Sequence, residues 1–114
     1  MKKLLFALAL LPLFFYHTNV KAQKVFSEQY ESNANVKVYV VQYASDADLK
    51  VYKEQYESNA GTNDGKWFFE EYESNATKKI FFEQYESNAD LKIFFVDYES
   101  DAGWVNTAKQ YLMY

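Results

Sequence analysis

Short apolar runs alternate with polar segments along the chain, and they recur at a fixed interval from Lys24 to Trp104. The run over 37–43 (KVYVVQY) is rich in β-branched and aromatic residues, which favour strands. The polar segment over 31–35 (ESNAN) is rich in Ser and Asn, whose side chains bond to nearby backbone in turns. The pattern therefore predicts an all-β chain in which each unit is one strand followed by one turn.

The unit of 13 residues occurs six times, and this tandem repeat is the dominant feature of the sequence. One tyrosine marks the same place in every unit: Tyr30, Tyr43, Tyr56, Tyr72, Tyr85 and Tyr98. The third unit carries three extra residues, Asn63-Asp64-Gly65, which are turn formers. We therefore expect a single domain over 23–114, with two halves at 24–65 and 66–104 and a tail at 105–114.

The strand face opposite to the tyrosines is more apolar in the second half, where it carries Trp67 and Phe69 and their repeats. Strands that are apolar on both faces are usually interior, so we expect the second half to form the middle of the structure. One 13-residue coil is too narrow to enclose tyrosine and phenylalanine. We therefore expect strands of the two halves to pair around a thick aromatic core, as a doubly wound, solenoid-like fold.

Residues 1–22 have the pattern of a secretory signal peptide. Lys2 and Lys3 precede an apolar run over 4–15, and small residues before Gln23 favour cleavage between Ala22 and Gln23. The apolar run is shorter than the roughly 20 residues that span a bilayer as a helix. We therefore expect a secreted or periplasmic protein that has no membrane association once the signal is removed.

Charge and composition exclude several function classes for the segment 23–114, which has 9 lysines, 16 acidic residues and no arginine. Phosphate contacts need clustered Lys and Arg, so nucleic acid is excluded as a partner. The same segment has no histidine and no cysteine, which removes triad catalysis and the usual zinc ligands. We expect no enzyme activity, no cofactor and no metal.

Two chemistries remain open on the residues that are left. Paired carboxylates such as Glu70-Glu71, or Glu54 with Glu57, are candidates for glycoside hydrolysis. The repeat places glutamate in the same environment many times, however, whereas a catalytic pair needs two different environments. Oxygen-rich turns are candidates for Ca²⁺, although asparagine stands where a calcium loop would want charge. Turn stabilisation is the favoured interpretation in both cases.

Aromatic residues outside the regular pattern are candidates for stacking on sugar rings. Trp67 and Trp104 break or close the repeat, so a ligand-binding role is assigned to them, with filling of the core as the favoured alternative. A protein exported beyond the cytoplasm meets cell-envelope polysaccharide and envelope proteins, and either is a candidate partner.

The repeated Tyr-Glu-Ser-x-Ala-Asp turns resemble those of a family of small bacterial proteins, as does the ending Asp101-Ala102-Gly103-Trp104 with the last four residues, Tyr-Leu-Met-Tyr. The resemblance covers essentially all of 23–114. It implies a doubly wound β architecture whose interlocked halves form a seven-crossing torus knot, and it implies no activity. This chain departs from the pattern at Ala44, which replaces the glutamate of the turn, and at the three-residue insertion.

The sequence thus favours a small, exported, non-catalytic scaffold with a structural or interaction role. A carbohydrate-binding module that uses Trp67 or Trp104 is the alternative, and a carboxylate hydrolase is the third hypothesis.

Overall fold

The computed structural model describes residues 21–114. The predicted signal segment, 1–22, lies almost entirely outside this range, so cleavage and export remain predictions. Within the described range, no helix has the length and apolar character needed to cross a membrane.

Each repeat folds as one short strand and one tight turn, as the sequence pattern predicts. The strands are β1 (Lys24–Ser27), β2 (Val36–Val40), β3 (Leu49–Lys53), β4 (Lys66–Phe69), β5 (Lys78–Phe82), β6 (Leu91–Phe95) and the short β7 (Gly103–Trp104). Single 3-10 turns, numbered 1 to 6 in chain order, follow the first six strands at Glu31–Asn33, Ala44–Asp46, Glu57–Asn59, Glu73–Asn75, Glu86–Asn88 and Glu99–Asp101. The residues just before each tyrosine belong to the connection and not to the strand.

The first six strands form a closed parallel barrel. The strand order is β4-β1-β5-β2-β6-β3, and β3 pairs again with β4 to close the ring. The short β7 adds to β3 in the antiparallel direction. Closure leaves none of the six strands as a free edge, which removes the aggregation hazard of exposed strand edges. The prediction of an all-β fold is confirmed, but the architecture is a closed barrel rather than an open solenoid.

Every pairing within the barrel joins a strand of the first half to a strand of the second half. The register places Val25 beside both Phe69 and Lys78, and it places Val38 beside both Phe82 and Leu91. The expected pairing between halves is confirmed. The expectation that the second half forms the middle is wrong, because the two halves alternate strand by strand around the barrel.

Each turn passes over one strand of the opposite half. Strand β1 ends at Ser27, which lies beside Ile80, and β2 begins at Val36, which lies on the other side of the same Ile80. The connection over 28–35 therefore crosses the width of β5. The same step occurs at Ile93, which lies between the end of β2 and the start of β3. The chain thus advances by winding around the barrel, and the two halves interlock.

The barrel interior is mainly aliphatic. Alternate strand residues point inward, and the fully buried residues are Val25, Val36, Val38, Leu49, Val51, Trp67, Ile80, Leu91, Ile93 and Met113. The repeated tyrosines point away from this core and are exposed. The expected thick aromatic core is therefore wrong, because the compact interior of the barrel accommodates branched aliphatic side chains and a single indole ring.

Larger residues close the barrel interior where the strands begin and end. Strands β4, β5 and β6 each end in a partly buried phenylalanine, and the rings of Phe69 and Phe82 stack with centroids 6.4 Å apart. Strands β1, β2 and β3 end instead in Ser27, Val40 and Lys53. Phenylalanine therefore alternates with Ser, Val or Lys around this layer, and Lys53 Nζ lies 4.4 Å from the ring centroid of Phe95.

The connection between the halves and the C-terminal tail pack together. Asn63 and Gly65 adopt left-handed backbone conformations, with φ of 98° and 87°. A side chain at Gly65 would bring its Cβ to 2.3 Å from the carbonyl oxygen of Lys50, so only glycine allows this approach. The tail forms a 3-10 helix, Thr107–Met113, that inserts Met113 into the core instead of adding a seventh repeat.

We expect Ile80→Ala to lower the free energy of unfolding by about 2–5 kcal/mol, because it leaves a cavity in a fully buried layer. Tyr85→Ala, in the exposed turn of the same repeat, should change it by less than about 0.5 kcal/mol. Urea unfolding of both variants measures this difference. An equal loss in the two variants would contradict the assignment of the inner and outer faces.

Candidate functional site

The six turns form a ring of nearly identical local structures on the outside of the barrel. In turn 1 the amide of Asn33 donates to the carbonyl oxygen of Tyr30 at 3.1 Å, and Ala34 donates to Glu31 at 3.1 Å. Each tyrosine before a turn has an extended backbone with φ between −119° and −124°. The extended tyrosine followed by one 3-10 turn belongs to the connection that carries the chain across a strand of the other half, and the tyrosine side chain is exposed to solvent.

The repeated tyrosines are the most regular exposed feature of the described residues. Their exposed fractions are 61–70% at Tyr30, Tyr43, Tyr56, Tyr72, Tyr85 and Tyr98. Tyr111 and Tyr114 of the tail are equally exposed, at 68% and 70%. The turn residues Glu, Ser and Asn beside the tyrosines are exposed as well. The outer surface therefore offers aromatic rings next to hydroxyl, amide and carboxylate groups, a mixture that is typical of interaction surfaces.

Backbone hydrogen bonds fix both ends of a turn to the strand that it crosses. The amide of Glu28 donates to the carbonyl oxygen of Ile80 at 2.7 Å, and the amide of Asn35 donates to that of Lys79 at 2.8 Å. The turn from β5 to β6 is held in the same way by Val38 and Lys37 of the first half. The ring of turns is thus rigidly attached to the barrel.

A polar side chain just before a strand supplies a further link between the halves. Asp48 Oδ2 accepts from the amide of Lys92 at 2.9 Å, and Asp90 Oδ2 accepts from the amide of Lys37 at 3.0 Å. Asn35 and Thr77, at the same position of their units, accept from Lys79 and Lys24 at 3.0 Å each. These side chains therefore serve the backbone, as the interpretation of the polar segments as turns predicts.

The two tryptophans occupy different places, and neither forms part of an exposed aromatic platform. Trp67 is fully buried inside the barrel, with its ring centroid 6.1 Å from that of Phe69, so its assignment to sugar stacking is wrong. Trp104 is half-buried in β7, and its indole N–H donates to the carbonyl oxygen of Asn63 at 2.9 Å. Trp104 thus fastens the loop between the halves to the end of the array.

Glutamates from opposite halves meet where neighbouring turns contact each other. The carboxyl groups lie close enough to influence each other in four pairs: Glu28 and Glu73, Glu31 and Glu83, Glu54 and Glu99, and Glu57 and Glu70. The pairs considered from the sequence, Glu70-Glu71 and Glu54 with Glu57, are not among them. The actual partners are set by the barrel register, which spacing along the chain does not reveal.

One glutamate of each pair has a buried oxygen without a hydrogen-bond donor: Oε2 of Glu28, Glu54, Glu70 and Glu83. The contact with Glu73, together with burial, raises the pKa of Glu28. Burial first, and then the neighbouring glutamate, raises the pKa of the other three. The contacts that Lys24 and Glu70 make with Glu57 hold its pKa below the usual value. The two members of the Glu57–Glu70 pair therefore titrate at different pH.

Lysines at the first position of the units neutralise the exposed turn glutamates. Lys24 Nζ lies 3.2 Å from Glu57, Lys37 Nζ lies 3.5 Å from Glu31, and Lys92 Nζ lies 3.7 Å from Glu86. All of these side chains are partly exposed, so solvent screens each pair and its contribution to stability is small. Among residues 21–114, no group of three or more acidic, histidine or cysteine residues is arranged to hold a metal ion.

A small cleft lies where the start of the described chain meets its end. It has a volume of about 160 Å³ and is lined by Lys21, Gln23, Thr62, Thr77, Lys78, Met113 and Tyr114. Gln23 is only 4% exposed, and its Nε2 donates to the carbonyl oxygen of Met113 at 2.7 Å. The Ala22 carbonyl accepts from Thr77 Oγ1 at 2.6 Å. Both residues of the predicted cleavage position are therefore in contact with the folded barrel.

A family model for the 7(1) septoil knot domain matches residues 22–105, which include all six repeats. The chain belongs to the septoil knot domain family. The knot-domain match agrees with the closed barrel in which each turn crosses a strand of the other half. Comparisons with curated proteins and with solved structures find no match.

We expect Asp48→Ala to lower the free energy of unfolding of this septoil knot domain by about 1–3 kcal/mol, because the amide of Lys92 loses its acceptor in a buried position. Asn35→Ala removes the equivalent bond to Lys79 at an exposed position, where water replaces the side chain, so its effect should be smaller. Urea unfolding of the two variants provides the comparison, and a larger loss in Asn35→Ala would contradict this account.

Proposed function

We propose that this chain is an exported, non-catalytic scaffold whose ring of tyrosine turns binds another component of the cell envelope. The observation that carries the proposal is the exposure of six equivalent tyrosines, each between 61% and 70%. Their rings contribute nothing to the buried core. Aromatic rings beside polar groups supply contact area at a low cost in side-chain entropy, which suits a binding surface.

The rigidity of the ring supports the same proposal. Each turn is bonded at both ends to a strand of the opposite half, so the spacing of the tyrosines is fixed before any partner binds. A preorganised surface loses little conformational entropy on association. Repetition also allows one partner to contact several turns at once, which raises the apparent affinity without strengthening any single contact.

A carbohydrate-binding role is the second candidate, and it now depends on the tyrosines rather than on Trp67. Tyrosine rings stack on sugar faces, and the neighbouring Ser and Asn side chains offer hydrogen bonds to hydroxyl groups. A hydrolase is disfavoured because the paired carboxylates recur in similar surroundings at four places. Both the secreted or periplasmic location and the absence of enzyme activity remain proposals.

A retention assay on an insoluble envelope fraction tests the binding role. Tyr→Ser at Tyr30, Tyr56 and Tyr85 should reduce retention of the full chain at least tenfold. The far-ultraviolet circular dichroism spectrum should remain that of the β barrel, because the replaced rings are exposed. Tyr39→Phe, which alters a half-buried tyrosine on the barrel wall, is the matched control and should retain full binding.

Digestion of the envelope fraction distinguishes the two candidates. Retention that disappears after protease treatment identifies a protein partner, as a scaffold requires. Retention that survives protease but not polysaccharide hydrolysis identifies a carbohydrate-binding module. Retention that is unaffected by loss of the tyrosines would contradict both proposals.

A further inference from the structure

The six contacts between neighbouring turns are built from the same two unit positions. The fifth residue of one unit meets the eighth residue of a unit from the opposite half. Four of these contacts join two glutamates: Glu28–Glu73, Glu31–Glu83, Glu54–Glu99 and Glu57–Glu70. We call these four contacts the acid junctions. Because each joins the first half to the second, they lie on the interface along which the two halves interlock.

In the remaining two contacts, valine replaces glutamate at the fifth position of the unit. Val41 takes the fifth position of the second unit, and it lines a common cleft with Glu86. By analogy with the other units, we expect Val96 of the sixth unit to face Ala44. A glutamate at the fifth position therefore always faces a second glutamate. Where the fifth residue is valine, the partner is either an ion-paired glutamate or an alanine. The departure at Ala44 thus coincides with the loss of its acidic partner.

The geometry of the acid junctions is unfavourable for two ionised carboxylates. Glu28 and Glu54 are each 8% exposed, and Oε2 of all four fifth-position glutamates is buried without a donor. An ionised carboxyl group can only accept hydrogen bonds, so neither member of an ionised pair can satisfy the other. If one member carries a proton, its O–H donates to the other carboxylate, and this charge-assisted bond fills the missing contact.

We propose that each acid junction binds one proton, shared between its two carboxyl groups, and that the four protons tighten the interface between the interlocked halves in acid. This inference concerns the barrel itself and does not depend on the proposed binding role. The ligand of each site is the proton. A metal ion is disfavoured because a lysine lies beside every acid junction: Lys79, Lys37, Lys66 and Lys24, respectively.

The charged groups that face each acid junction have opposite effects on its affinity for a proton, because lysines lower it and carboxylates raise it. Lys79 faces Glu28 and Glu73, and Lys24 faces Glu57 and Glu70. Lys66 and Asp64 face Glu54 and Glu99. Lys37 and Asp90 face Glu31 and Glu83. The lysines favour the ionised form of the pair, but each also forms an ion pair with the eighth-position glutamate. The buried fifth-position glutamate is therefore the member that donates the shared proton.

The pKa directions agree with this division of roles and set the sign of the pH dependence. The pKa values of Glu28, Glu54, Glu70 and Glu83 are raised above 4.5 in the folded chain. A raised pKa means that the folded state binds more protons than the unfolded state, so stability falls as pH rises above about 4.5. The lowered pKa of Glu57 acts in the opposite sense at more acidic pH.

Urea unfolding of the full chain between pH 4.5 and pH 8 tests the proposal. We expect the unfolding midpoint to rise as the pH is lowered across this range. Glu28→Gln with Glu83→Gln keeps an uncharged donor at two junctions, so this double variant should have a higher midpoint than the original chain at pH 8. It should also lose about half of the pH dependence, because two of the four sites are removed.

Glu86→Gln is the matched control, because the fifth-position residue beside this glutamate is Val41 rather than a second glutamate, although Asp46 lines the same cleft. Its pH dependence should equal that of the unchanged chain. Infrared spectroscopy of the unchanged chain provides a second test, which needs no variant. The carbonyl stretch of a protonated carboxyl group should persist to a higher pH in the folded chain than in the unfolded chain.

Three results would overturn the proposal. The first is a midpoint that stays constant or falls on acidification from pH 8 to pH 4.5. The second is an equal change of pH dependence in Glu86→Gln and in the double variant. The third is a protonated-carboxyl band that disappears at the same pH in the folded and the unfolded chain, which would show that the folded pairs hold no additional proton.

Discussion

The length of the connections between strands is the constraint on which the rest of this structure depends. Parallel strands that are adjacent in a sheet need a returning crossover of about a dozen residues or more. The connection from β1 to β2, over 28–35, is too short for such a return. It is long enough to step across one strand, and the strand that it crosses, β5, comes from the other half of the chain. Alternation of the halves, closure of the barrel and interlocking all follow from this step.

The same constraint separates the residues that stabilise the fold from those that remain available for contact. The barrel interior accepts Val, Leu, Ile and one Trp, and it excludes the six repeated tyrosines. The stepping turns carry those tyrosines outward and bring glutamates of opposite halves together at the places where turns touch. An exposed surface of tyrosines and a set of partly buried acid contacts thus arise from one repeated unit.

The sequence predicted which segments form strands and turns better than it predicted which side chains face the barrel interior. Strand–turn units, their number and pairing between halves follow from the repeat, because local propensity and spacing decide them. The large apolar residues of β4–β6 suggested a central second half, whereas Phe69 and its equivalents alternate with Ser27, Val40 and Lys53 around one layer of the barrel. The burial of Trp67 and the identity of the residues that contact Glu28 and Glu54 depend on the register between strands that are far apart in sequence. No local sequence pattern encodes this register.

Engineered disulfides test the central claim, the interleaving of the two halves, most directly, because the chain contains no cysteine of its own. Lys37 and Phe81 are register partners on adjacent strands of opposite halves, so Lys37→Cys with Phe81→Cys should oxidise to a single intramolecular disulfide. Lys37→Cys with Lys50→Cys joins equivalent positions of consecutive units, which β6 keeps apart, and should stay reduced. Efficient cross-linking of 37 to 50, with none between 37 and 81, would contradict the interlocked barrel.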